Sequence, residues 1–140
     1  MRLLIDTNIF LEVILGQDRA AEASALLEKA AEHEMFMSDF SLHSIGVFLS
    51  RRKQIDALRE FLNDVVGELG IKVKRLDEED LSSLCDVLEE YGLDFDDAYQ
   101  YASAQKFDLT LVSFDSDFDK TEQGRIVPSK VLAETTEPQR

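Results

Sequence analysis

RLLIDTN, residues 2–8, decides the fold, because it places a carboxylate directly after a short apolar run. An unbroken apolar run is typical of a parallel strand that is buried on both faces of a sheet. We predict a strand over residues 2–6 that ends at Asp6. A helix then runs from Asn8 to Leu15, where Gly16 ends it. This stretch predicts an α/β fold with an acidic residue at the end of a strand.

The alternation of strand and helix continues along the chain. Further strands are predicted from short apolar runs at residues 35–38, 71–76, 109–113 and 125–128. Apolar spacing and capping residues predict further helices at 19–32, 54–69, 77–91 and 95–107. Another helix is predicted to begin at a cap formed by Ser41. Strands that alternate with helices indicate βαβ units. We therefore predict a three-layer α/β/α sandwich around a central, mainly parallel sheet.

The composition fits a single domain with a packed core. The chain has 140 residues, of which 44% are hydrophobic, and it contains a single cysteine, Cys85. We predict one domain over residues 1–128 and a C-terminal tail over 129–140, where periodicity is lost. One cysteine excludes an internal disulfide framework and suits a reducing cytosol, so a cytoplasmic location is expected. Polar residues interrupt every apolar run, so neither a signal peptide nor a membrane helix is predicted.

The net charge of −14 disfavours general binding of nucleic acid, which usually requires a basic surface. Basic residues do cluster locally at 51–53 and at 72–75, although charged residues commonly lie exposed without a ligand. Bound cations would offset part of the acidic excess. The same excess would also suit a basic partner protein.

Two further acidic motifs fall where a parallel sheet would bring them close to Asp6. Asp96 and Asp97 lie in the first turn of the predicted helix at 95–107. Asp115 and Asp117 follow the predicted strand at 109–113. Ligands bind to such sheets outside the carboxyl ends of the strands, where the strand order reverses. Clustered carboxylates are costly unless a cation neutralises them, and their oxygen atoms suit Mg²⁺ or Mn²⁺. The pattern predicts a metal-dependent enzyme that acts on phosphate esters.

Each acidic motif taken alone also fits a structural role. Asp6 can accept hydrogen bonds from backbone amides, and Asp96 and Asp97 can cap a helix or favour its dipole. Asp115 and Asp117 can belong to a turn. Three independent caps would have no reason to meet at one point of the topology, so their conjunction favours a functional site.

IDTN, DDAYQYASA and LVSFDSDF together resemble the three signature segments of the PIN domain (PilT N-terminus) family, which includes the VapC-type toxin ribonucleases. The resemblance extends from residue 1 to about residue 128. It implies an endoribonuclease that uses Mg²⁺ or Mn²⁺ to hydrolyse RNA, with an antitoxin partner if the chain is a toxin. Because family members often dimerise, a homodimer is also expected.

The resemblance assigns roles to individual residues. It implies that Asp6, Asp97 and Asp115 are the catalytic acids and that Asp117 joins them as a metal ligand. Supporting roles fall to three neighbours: Asn8 beside the first acid, Asp96 beside the second, and Ser113, which replaces the threonine of the family's T-x-D segment.

One departure from the family concerns the segment S-D-F-S-L-H-S-I, residues 38–45. The family pattern resembles S-x-x-T-x-x-E-L, so Ser44 stands where a glutamate is expected, with His43 beside it. A serine supplies no charge, although His43 has the chemistry to bind a metal, a phosphate or substrate. Three interpretations stay open: the metal is held with one carboxylate fewer, another residue substitutes, or activity is lost. The alternative function is a non-catalytic PIN-like module that binds RNA or protein.

Two other families with an acid after the first strand fit less well. A haloacid-dehalogenase phosphatase needs a second aspartate two residues after the first, where this chain has Asn8. A receiver domain needs an acidic pair after its first strand, and that pair is absent.

Overall fold

One parallel sheet organises the structure, a computed structural model that describes residues 1–135. Its strands lie in the order β3-β2-β1-β4. They are β1 (Arg2–Ile5), β2 (Glu34–Ser38), β3 (Lys72–Lys74) and β4 (Thr110–Val112). All three strand pairings are parallel. The predicted parallel α/β fold is confirmed.

Seven α-helices surround the sheet in the described part of the chain. They are α1 (Thr7–Leu15), α2 (Ala20–Leu27), α3 (Asp39–Arg51), α4 (Ile55–Phe61), α5 (Leu81–Tyr91), α6 (Phe95–Phe107) and α7 (Pro128–Thr135). A π-helical segment, Leu62–Glu68, continues α4. None of the described helices is long and apolar enough to cross a membrane.

Side chains of the central strand alternate between two separate cores. Leu3 and Ile5 are fully buried on one face, in a core built with α1 to α4 and α7. Leu4 is fully buried on the other face, in a core built with α5 and α6. Burial on both faces explains why β1 is an unbroken apolar run, and it confirms the α/β/α sandwich.

The strand order reverses at β1. The chain passes from β1 to β2 on one side of it, while β4 returns to its other side. The backbone amide of Asp6 donates to the carbonyl of Val112 (3.0 Å), so the carboxyl ends of β1 and β4 lie side by side. This junction is where a parallel sheet offers a ligand site.

Three local predictions were wrong. The expected strand at 125–128 is reduced to a single bridge between Ile126 and Val112. The predicted helix at 19–32 ends at Leu27 and is followed by a short 3₁₀ turn. Helix α3 is capped by Ser38, whose hydroxyl accepts from the backbone amide of Ser41 (3.0 Å), so the cap lies three residues before the predicted one.

The segment after residue 128 differs from the predicted tail. Pro128 begins helix α7, a position where proline's fixed φ and missing N–H are favourable. Val131 is fully buried in the core beside α2, and the amide of Ser129 donates to Glu22 of α2 (2.9 Å). Residues 129–135 therefore belong to the packed fold, and the remainder of the predicted tail lies outside the described residues.

Candidate active site

A cleft of about 320 Å³ opens at the carboxyl ends of β1 and β4. Acids from three distant segments line it. The described residues that line it are Asp6, Thr7, Asn8, Leu11, Phe40, Ser44, Phe48, Asp96, Asp97, Gln100 and Asp115. The fold thus brings together Asp6, Asp97 and Asp115, as the sequence predicted.

Asp6 lies in the inner part of this cleft and caps helix α1. It is only 5% exposed, and its carboxylate accepts from the backbone amide of Thr7 (2.8 Å) and the hydroxyl of Ser113 (2.7 Å). Burial raises the pKa of Asp6, hydrogen bonds from Gln100, Ser113 and Thr7 oppose that rise, and the nearby charge of Asp115 adds to it. The net direction is upward from the ordinary value.

Asp97, Asp115 and Asp117 form a tighter group. Each offers a carboxylate oxygen, and these oxygens all lie within 4.8 Å of one another. Asp97 stands in the first turn of α6, where its amide donates to the capping residue Asp94 (3.0 Å). Asp115 starts the 3₁₀ turn after β4 and accepts from the amide of Asp117 (2.8 Å). The first turn of α6 and the 3₁₀ turn after β4 thus place their acidic side chains next to each other.

The close packing of these acids changes their ionisation. Burial raises the pKa of Asp97 to about 8, helped by the charges of Asp115, Asp94 and Asp6 and by a hydrogen bond with Asp115. Like charges at this distance cannot all ionise cheaply, so Asp97 retains its proton at neutral pH in the absence of a cation.

This raised pKa predicts that the metal-free protein loses stability as the pH rises. Unfolded Asp97 releases its proton near pH 4, whereas the folded chain keeps it until about pH 8. Between these values the folded state binds more protons, so the free energy of unfolding falls with rising pH. We expect thermal denaturation in EDTA to show a melting temperature that falls from about pH 5 to about pH 8. In Asp97→Asn, the melting temperature should depend less on pH. The same pH dependence in wild type and Asp97→Asn would contradict the raised pKa of Asp97.

The donor set fits a hard divalent cation. Among the ion pairs formed by described residues, none includes Asp6, Asp97, Asp115 or Asp117. The cluster is therefore a group of oxygen ligands without a protein cation to neutralise it. Carboxylate oxygens in this number suit Mg²⁺ or Mn²⁺ and do not suit soft metals.

Asn8 and Ser113 link the two strand ends behind the acids. The Asn8 amide donates to the Ser113 hydroxyl (3.1 Å) and accepts from the backbone amide of Phe114 (3.3 Å). Ser113 in turn accepts from the amide of Asp115 (2.9 Å). These contacts place Asn8 and Ser113 directly beside Asp6 and Asp115, and Asp96 lines the cleft with an exposed side chain.

Ser44 and His43, where the sequence departs from the family pattern, lie in different surroundings. Ser44 lines the cleft together with the acids, at the place where the resemblance expects a glutamate. His43 is exposed on α3 and is not among the described residues that line the cleft. Of these two residues, Ser44 is the one that lines the cleft with the acids.

Sequence reasoning missed Gln100 and the two serines that accompany it. Gln100 is 2% exposed, and its amide contacts Asp6, Ser38 and Ser41. A glutamine among small residues of a helix is ordinarily expected at the surface. The available signal was its spacing: Gln100 follows Asp97 by three residues, which puts both on one face of α6.

Solved structures with a similar fold include a toxin–antitoxin complex, a toxin and a third protein. A toxin–antitoxin complex from Klebsiella pneumoniae is 22% identical, with a TM-score of 0.69 over 90% of this chain and 97% of that one. VapC20 from Mycobacterium tuberculosis, a sarcin-ricin loop cleaving toxin, is 19% identical, with a TM-score of 0.72 over 90% and 99%. PAE2754 from Pyrobaculum aerophilum is 20% identical, with a TM-score of 0.68 over 96% and 88%.

At these identities, the likeness establishes a shared fold. No curated protein matches the chain at a significant level. A family model described as the PIN domain matches residues 3–124. That match spans most of the chain and includes every acid of the cleft, and the chain therefore belongs to the PIN domain family.

Proposed function

We propose that this protein is a metal-dependent endoribonuclease that hydrolyses RNA phosphodiester bonds with Mg²⁺ or Mn²⁺. The observation that carries the proposal is the convergence of Asp97, Asp115 and Asp117 oxygens within 4.8 Å, with Asp97 and Asp115 lining the same cleft as Asp6. Membership of the PIN family supports the same chemistry. Similarity of fold to an RNA-cleaving VapC toxin adds to that support.

In this proposal, the carboxylates of Asp97, Asp115 and Asp117 would hold the ion, and Asp6 would add its charge from the inner part of the cleft. A bound divalent ion would polarise the scissile phosphate and lower the pKa of a water. Asp97 would release its retained proton when an ion binds. The apolar side chains of Leu11, Phe40 and Phe48 also line the cleft.

End-labelled single-stranded RNA tests this proposal. We expect cleavage in Mn²⁺ or Mg²⁺, none in EDTA, and recovery when the metal is restored. Asp97→Asn should slow cleavage by about 100-fold or more, because the ion's charge stabilisation is worth several kcal/mol. Asp86→Asn, an exposed acid on α5, serves as the matched control and should cleave like wild type. Cleavage that persists in EDTA or in Asp97→Asn would contradict the proposal.

We further propose that the protein acts as the toxin of a toxin–antitoxin pair in the cytoplasm, with a homodimer as its own assembly. Solved structures with this fold include toxin–antitoxin complexes, one of them from Klebsiella pneumoniae. Co-expression with the product of an adjacent open reading frame, followed by size-exclusion chromatography, tests the antitoxin partner. The mass of the protein alone in the same experiment tests the homodimer.

The second candidate function is a non-catalytic module that binds RNA or protein. It is favoured by one observation: Ser44 lines the cleft where the family resemblance expects a carboxylate. RNA binding that is independent of metal, with no cleavage in Mn²⁺, would favour this alternative over the enzyme.

A further inference from the structure

Gln100 is a buried polar residue at the centre of the site, on the face of α6 that packs against the sheet. Its side-chain amide donates to Asp6 Oδ1 (2.8 Å) and to the hydroxyl of Ser41 (2.8 Å). Its carbonyl oxygen accepts from the hydroxyl of Ser38 (2.6 Å). Both amide protons are therefore used, and this matters because an unsatisfied buried amide is costly.

The serines determine which way this amide points. Ser38 already accepts from the backbone amide of Ser41 (3.0 Å), and Gln100 is the nearer of the two acceptors for its hydroxyl proton. The carbonyl of Gln100 must then face Ser38, so its NH₂ group faces Asp6. If the Gln100 amide were flipped, its oxygen would face the Asp6 carboxylate. Two acceptors would then meet with no proton between them.

Asp6 receives donors on both carboxylate oxygens. Oδ1 accepts from Gln100 (2.8 Å) and from the amide of Thr7 (2.8 Å). Oδ2 accepts from Ser113 (2.7 Å) and, at a longer 3.4 Å, from Asn8. Among these donors Gln100 is the one supplied by α6, the helix that also carries Asp97. It therefore couples the orientation of Asp6 to the element that presents the neighbouring acid.

We propose that Gln100 is the positioning residue of the metal site: held by Ser38 and Ser41, its amide fixes the Asp6 carboxylate in one orientation toward the cation that Asp97, Asp115 and Asp117 bind. The inference rests on the proposed metal-dependent function. Gln100 acts through Asp6 and makes its contribution before any ion arrives, because the hydrogen-bonded arrangement exists in the free protein. Hydrogen-bond partners that hold a charged group of a metal site in place raise the affinity of that site.

Calorimetric titration with Mn²⁺ tests this role. Gln100→Met keeps the length of the side chain and removes its hydrogen bonds, and we expect it to weaken Mn²⁺ binding about 10- to 100-fold. Ser103→Ala is the matched control. Ser103 is also fully buried on α6, but its hydroxyl donates only to the backbone of Tyr99 within the same helix (2.7 Å). Its affinity for Mn²⁺ should equal that of wild type.

A second comparison separates positioning from a general structural role. In an Asp6→Asn background, Gln100→Met should cause no further loss of Mn²⁺ affinity, because its effect passes through the Asp6 carboxylate. An equal loss in both backgrounds would overturn the inference. If Gln100→Met does not fold, Ser41→Ala leaves Gln100 in place and removes one of its anchors, and it should weaken Mn²⁺ binding in the same direction.

The outcomes distinguish this inference from the proposed function. If wild type binds no Mn²⁺, the proposed function fails and the inference with it. If wild type binds Mn²⁺ and both Gln100→Met and Ser41→Ala bind it equally well, the inference alone is overturned.

Discussion

Mn²⁺ is expected to raise the melting temperature of the wild-type protein by about 8 °C at a free concentration 100 times the dissociation constant. Preferential binding to the folded state contributes about 2.7 kcal/mol at that concentration. For a domain of this size, each kcal/mol shifts the melting temperature by roughly 3 °C. Relief of repulsion among Asp97, Asp115 and Asp117 is part of the reason that the folded state binds the ion.

The double variant Asp97→Asn, Asp115→Asn should show almost no Mn²⁺-dependent shift. Asparagine also caps helical turns, so the start of the turn after Asp115 is preserved. Without metal, the double variant should melt at or above the wild-type temperature, because the repulsion between two partly buried carboxylates has been removed. The control is Asp86→Asn, Asp108→Asn, which makes the same change in charge at two exposed positions and should keep the full shift. A full shift in the cleft variant would refute the metal assignment.

Ser44→Glu is expected to tighten Mn²⁺ binding by about tenfold, which corresponds to 1.4 kcal/mol, and to increase any RNA cleavage. Ser44 already lines the cleft, so a glutamate there adds a charged oxygen ligand to the cluster. The helix dipole contributes little, because α3 begins at Asp39 and Ser44 lies beyond its first turn. Stability without metal should fall slightly through added repulsion.

Two further variants make the Ser44 prediction decisive. Ser44→Gln has the size of glutamate without its charge, so calorimetry should show tighter Mn²⁺ binding for Ser44→Glu and not for Ser44→Gln. His43→Ala tests whether the site has been rebuilt around the neighbouring histidine. Because His43 is exposed outside the cleft lining, we expect no effect on Mn²⁺ affinity. A loss of affinity in His43→Ala, with no gain in Ser44→Glu, would support the non-catalytic interpretation or another substrate.

The sequence predicted that Asp6, Asp97 and Asp115 lie together, because the position of each follows from a strong local signal. Asp6 ends an apolar strand, and Asp97 and Asp115 lie next to the starts of helical segments. In a parallel sheet such positions share an edge by topology, whatever the details of packing. The importance of position 44 followed instead from the family resemblance, which expects a glutamate where this chain has Ser44.

The sequence did not predict Gln100 or helix α7, because both depend on partners far away in the chain. The burial of Gln100 is possible only because Ser38, Ser41 and Asp6 satisfy its amide, and those residues lie on other elements. Helix α7 is short, and its fully buried Val131 has a partner surface only once α2 is in place. Local periodicity carries no information about either contact.

The central position of β1 has a consequence for biosynthesis. Asp6 and Ser113, which are joined by a hydrogen bond, lie 107 positions apart in the chain. Closing a loop of that length costs about 4 kcal/mol in chain entropy, and pairings of such long range form slowly. A chain still on the ribosome, with β4 not yet emerged, can bury parts of β1 and β2 but cannot assemble the acidic cleft. Nascent chains and truncated products that stop before Ser113 would therefore lack the acidic cleft altogether, and the cleft would form only after β4 has emerged.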